Sequence, residues 1–128
     1  MKEILEKINT LSEKRIKFYI ENKGDKGFYR GSKTYFEQIS EELEEALDEN
    51  RLNNSVHLED ELGDVLWCYL GLLNGLKSEG KITSVEKVFE RSYNKFTGRI
   101  KEEDGTNNGI WNEVKKNQKI ELKKENDL

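Results

Sequence analysis

Residues 34–77 read TYFEQISEELEEALDENRLNNSVHLEDELGDVLWCYLGLLNGLK, and this stretch decides the fold. Tyr35, Phe36, Ile39, Leu43, Ala46 and Leu47 recur at three- and four-residue steps, the period of one helix face. Asn50 to Asn54 are turn formers, and Ser55 suits a helix start. Residues 56–77 then form the most apolar helix of the chain. Two helices joined by so short a turn are antiparallel neighbours.

Outward from this hairpin the helical period continues. Residues 2–22 place Ile4, Leu5, Ile8, Leu11, Ile16 and Ile20 on an amphipathic helix. Lys23 to Ser32 hold three glycines and read as a connector; they lack the Lys-Ser/Thr ending of a phosphate loop. Thr83 or Ser84 caps a helix to about Ile100, with Val85, Val88, Phe89, Phe96 and Ile100 inward. Glu102 to Gly109 form a polar loop, residues 110–124 a last, weaker helix, and the charged tail frays. The expected fold is all-α: antiparallel helical hairpins forming a four-helix-bundle-like core, completed by oligomerisation. The whole chain, residues 1–128, reads as a single domain, with 1–30 as N-terminal helix and loop, 34–118 as core and 119–128 as tail.

Composition narrows the function. The 128 residues include 22 basic and 26 acidic side chains, a net charge of −4, which gives no reason to expect nucleic-acid binding. One Cys and one His exclude an internal disulfide, cysteine or multi-histidine zinc sites and a Ser-His-Asp or Cys-His nucleophile set. Cys68 reads as a small buried apolar residue, and His57 as a surface group near a helix start. The opening residues lack the apolar run of a signal peptide. The longest uncharged stretch, Val65 to Leu76, is 12 residues, too short to span a bilayer. These features predict a reduced, soluble, cytoplasmic protein that does not engage a membrane.

Charge is concentrated. Glu41 to Asp64 carry ten acidic residues and one basic in 24 positions. Glu42 and Glu45 share a helix face, as do Glu61 and Asp64. Glu42 lies about 85° from the centre of the apolar stripe, on the flank of the core. Counted from the turn, Glu45 and Glu61 stand at roughly 8 Å, and Glu42 and Asp64 near 12–13 Å. Four carboxylates then face one another in two layers. Such crowding is unfavourable without a cation, and an oxygen-only donor set suits Mg²⁺ or Mn²⁺. An ion there keeps water positions and can hold a di- or triphosphate. Lys87, Arg91, Lys95 and Arg99 form a basic line on a later helix, suited to a polyphosphate or to a solvated face.

EELEEALDE followed by HLEDELGDVLW resembles the MazG-like all-α nucleoside triphosphate pyrophosphohydrolases, whose signature is EExxE, a spacer and ExxD. Here it reads Glu41-Glu42-x-x-Glu45 and Glu61-x-x-Asp64. Lys95-Phe96 with Arg99, and Trp111 to Lys115, fit the family's C-terminal part, so the resemblance spans about residues 34–118. It implies Glu42, Glu45, Glu61 and Asp64 as ligands of Mg²⁺, with Mn²⁺ a possible substitute. It implies Glu41 orienting or deprotonating the attacking water, Lys95 in catalysis and phosphate binding, and Arg99 and Tyr35 on the substrate. Phe28 and Tyr29 join Tyr35 as aromatic candidates for base selection. The implied reaction converts an NTP or dNTP to monophosphate and pyrophosphate, as nucleotide-pool house-cleaning, in a homodimer or homotetramer. Phosphoribosyl-ATP pyrophosphohydrolase is the rival activity; a non-catalytic helical interaction module is the rival from another class. The apolar helix agrees with oligomers: Leu62, Val65, Leu66, Tyr69, Leu73 and Leu76 share a stripe while Trp67 points away from it, so burial on more than one side is expected.

Overall fold

The computed structural model describes residues 1–22 and 27–128. The part of the 23–32 connector at residues 23–26 lies outside the described residues. Among those described, five helices follow one another and no strand forms: α1 (Lys2–Glu21), α2 (Lys33–Asp48), α3 (Ser55–Ser78), α4 (Val85–Arg99) and α5 (Trp111–Asn126). None is long and apolar enough to cross a membrane. The chain divides into two compact units, Met1–Val85 and Glu86–Leu128.

In the first unit α3 packs against both α1 and α2. Two glycines on α3 set how closely α2 approaches. A Cβ on Gly71 would lie 2.6 Å from ring carbons of Tyr35, and one on Gly75 would lie 3.2 Å from the Ser32 Cα. The missing side chains let the start of α2 sink against α3. Ile16, Tyr35, Cys68 and Leu72 form the core, with Tyr19, Tyr29, Ile39, Tyr69 and Leu76 around them. Tyr19 and Tyr29 stack at 5.0 Å between centroids. On the α1–α3 side the buried Asn74 donates from Nδ2 to Asn9 Oδ1, Ser12 Oγ and the Leu70 carbonyl, at 3.0–3.1 Å.

This packing turns α2 away from its expected face. The inward positions are Tyr35, Ile39, Glu42 and Ala46, whereas Leu43 is 52% and Leu47 69% exposed. On α3 the most apolar part, Leu70 to Leu73, is buried, but Leu62 and Leu66 remain exposed. On α1, Ser12 and Ile16 are buried, while Ile4 and Leu11 face solvent. The apolar stripes are where the spacing puts them; the face that meets a neighbour is set by the fit against α3.

The turn between α2 and α3 is closed by two asparagines. Asn53 takes the left-handed conformation (φ 60°), which Asn tolerates. Asn54 donates to the Glu49 carbonyl and carboxylate, each at 2.7 Å. In the second unit, α5 runs to Asn126 instead of fraying after 124. A two-pronged pair between Arg91 and Glu125 (2.8 and 3.2 Å) ties its last turn to α4.

Candidate metal centre

Turning α2 by one face brings acids into the α2–α3 seam. Glu42 occupies an inward position between Ile39 and Ala46, and Glu61 an inward position of α3. Both are half-buried. Oxygens of Glu42, Glu45 and Glu61 lie within 4.8 Å of one another, and so do oxygens of Asp60, Glu61 and Asp64. Glu61 belongs to both groups. Glu42, expected on the flank of the core, therefore lies closer to the seam.

The charges of the cluster act on one another. Glu45 is pushed above the ordinary carboxylate range, first by a hydrogen bond with the Glu42 carboxyl and then by its charge. Glu61 is raised by desolvation, then by the charges of Asp64, Asp60 and Glu42. Asp64 is raised by desolvation, then by Glu42 and Asp60. Even the buried Cys68 thiol, pushed up to about 11 chiefly by burial, feels Glu42 and Asp64.

Glu42 Oε2 and Glu61 Oε2 are buried and lack a hydrogen-bond partner. Burying an acceptor without a partner is costly. A hard cation between these oxygens satisfies both and offsets the repulsion, so the residues fit a divalent metal ion.

Two neighbours escaped the sequence reading. Gln38 donates from Nε2 to Glu42 Oε1 at 3.0 Å. Its signal was present, one helical turn before Glu42, but amides at that spacing are common. Asp60 was visible only as one more acid in a charged run. A cleft of about 460 Å³ opens beside the cluster, walled by Phe28, Arg30, Lys33, Thr34, Glu37, Gln38 and Glu41. Glu41 itself is exposed at the edge of this cleft.

Three further residues were expected at the site, Tyr35, Arg99 and Lys95. Tyr35, read as a substrate contact, is 2% exposed and packs in the core against Gly71. Its ring is occupied by packing, and Tyr29 and Phe28 are drawn into contact with it. Phe28 alone of the three keeps an exposed face. Arg99, also read as a substrate contact, is 8% exposed in the second unit. Its guanidinium lies over Phe96 and Trp111, and its Nε donates to Gln118 Oε1 at 2.8 Å. These contacts join α4 to α5. Lys95 is exposed on α4. With Lys87 and Arg91 it borders a groove of about 580 Å³ between α4 and α5. His57 is exposed.

A model of the MazG nucleotide pyrophosphohydrolase domain matches residues 30–103, more than half of the chain. Comparisons with curated proteins and with solved structures give no match. The matched span contains α2, α3 and all of the acidic cluster. A helical hairpin whose seam holds two carboxylate oxygens without a partner is consistent with that match, and the chain belongs to the MazG family of nucleotide pyrophosphohydrolases.

Proposed function

We propose that the protein hydrolyses a nucleoside triphosphate, NTP or dNTP, to the monophosphate and pyrophosphate. Glu42, Glu45, Glu61 and Asp64 would hold Mg²⁺, with Mn²⁺ as a substitute. The observation that carries this reading is the pair of buried, unpartnered oxygens on Glu42 and Glu61 within one carboxylate cluster. When bound, the ion supplies charge neutralisation of the phosphates and a more acidic water.

The chain's own residues do the rest. Glu41, exposed beside the ligand Glu42, accepts the proton of the attacking water. The water oxygen bonds to phosphorus as the α–β anhydride breaks, and pyrophosphate leaves with the bonding electrons. The cleft walled by Phe28, Arg30 and Lys33 offers an aromatic face and two cations to a nucleotide. Lys95 offers a further exposed ammonium to an anionic substrate. The physiological role that suits this chemistry is nucleotide-pool house-cleaning in the cytoplasm.

Leu43, Leu47, Leu62 and Leu66 form exposed apolar positions on α2 and α3. They support a homodimer or homotetramer that covers this face. The test is a panel of NTPs, dNTPs and phosphoribosyl-ATP with Mg²⁺, reading both nucleotide and pyrophosphate. Pyrophosphate from an NTP or dNTP is expected. Turnover of phosphoribosyl-ATP alone overturns the substrate assignment, and no turnover of any member overturns the enzymatic one.

A further inference from the structure

We infer that Gln38 is a positioning residue for Glu42, acting on metal binding through that carboxylate. The inference rests on the metal reading above and deepens it. Gln38 and Glu42 stand one turn apart on α2, and the amide Nε2 lies 3.0 Å from Glu42 Oε1. The other oxygen, Oε2, is buried and unpartnered. One oxygen is thus held and the other is left without a partner.

The orientation of the amide follows from chemistry. Turning the Gln38 carbonyl oxygen toward Glu42 would set acceptor against acceptor, so the amino group must face the carboxylate. An amide is also the donor best suited to this place. A Lys or Arg would compete with a cation for the same negative charge, and a carboxylate would add to the crowding. A neutral donor restrains the Glu42 side chain without consuming its charge. A free glutamate samples several rotamers, and ordering it on binding costs free energy. Gln38 removes part of that cost before the ion arrives. Its hydrogen bond ends on Glu42, so its effect on the ion passes through that carboxylate.

The test titrates Mn²⁺ alone into the full chain and follows free Mn²⁺ by electron paramagnetic resonance. Q38M keeps the length of the side chain and deletes the donor; Q38A does so without risk of crowding. Both are expected to weaken Mn²⁺ binding about tenfold, the usual consequence of losing a hydrogen bond that orients a ligand. The melting temperature of the metal-free protein should fall only slightly, with the fold kept. In turnover, the Mg²⁺ concentration for half activity should rise by a similar factor. In an E42Q background, read at millimolar Mn²⁺, Q38M should have no further effect. Wild-type affinity in Q38M and Q38A overturns the proposal, as does an undiminished loss in the E42Q background. Absence of Mn²⁺ binding by the wild type overturns the metal reading and this proposal with it.

Discussion

The Glu79 carboxylate accepts two hydrogen bonds from Ser32, Oε2 from the backbone N–H and Oε1 from the hydroxyl, each at 2.8 Å. The residue after α3 thereby satisfies the residue before α2, and Ser32 is itself buried. These bonds hold the Glu79 carboxyl below its ordinary value; the Ser32 N–H is the largest cause. A depressed acid contributes stability above its unfolded value near 4.5, and that contribution is lost as pH falls through the folded value. Glu79→Ala should cost about 1 kcal/mol at pH 7, the low end for a charge-assisted bond because the carboxylate is partly exposed. Urea unfolding of both proteins from pH 7 to pH 3 should show the difference shrinking below pH 4.5. A difference independent of pH would contradict the account.

The acids in the seam have the opposite sign. Glu45, Glu61 and Asp64 are raised in the folded chain, by hydrogen bonding to Glu42 for the first and desolvation for the other two. Their repulsion is fully present above the raised values and fades as pH falls toward ordinary carboxylate values. The metal-free protein should therefore gain stability as pH falls from neutrality toward the ordinary carboxylate values. Saturating Mg²⁺ should raise the melting temperature at pH 7 and flatten or reverse this trend. Melting curves with and without the ion, measured across that range, decide it.

Glu42→Ala and Asp64→Ala should abolish turnover while leaving helicity unchanged, since each removes charge from a crowded cluster. Circular dichroism and pyrophosphate release check the two halves separately. Glu41→Gln should lower kcat by at least about a hundredfold, the scale of a lost general base, with Mn²⁺ affinity kept. Near-wild-type turnover in any of the three removes that residue from the proposed machinery.

Gly71→Ala is expected to destabilise the first unit by about 1–3 kcal/mol, despite alanine's better helix propensity. The added carbon would meet the Tyr35 ring at 2.6 Å, and that ring is enclosed by the core. Thermal unfolding measures the loss. A smaller side chain at position 35 in the same background should recover part of it.

Leu47→Glu should dissociate the proposed oligomer and leave the monomer folded, because Leu47 is 69% exposed within the chain. Sedimentation velocity of the variant against wild type reads the change. An unaltered assembly would move the interface away from this face.

Helix limits were legible because capping, turn residues and periodicity act over a few neighbouring positions. The gathering of Glu42, Glu45, Glu61 and Asp64 was legible for the same reason, since a short turn fixes heights along two antiparallel helices. The burial of Tyr35 was not legible, because the room for its ring comes from Gly71, far along the chain. The surroundings of Arg99 were not legible, because a motif position says nothing of the Phe96 and Trp111 rings against which it packs. Gln38 went unnoticed because its partner's second oxygen becomes buried only once α2 meets α3.

Residue order by itself thus determined the helices and which side chains share a face, since both follow from a local 3.6-residue repeat. Only the tertiary structure decided which face turns inward. Hydrophobicity alone favoured Leu43 and Leu47, but the contours of α3, cut away at Gly71 and Gly75, accept Ser32 and Tyr35. That choice places Glu42 in the seam and leaves the leucines outside. The reason is steric: close packing is settled by the shapes of surfaces that meet from distant parts of the chain.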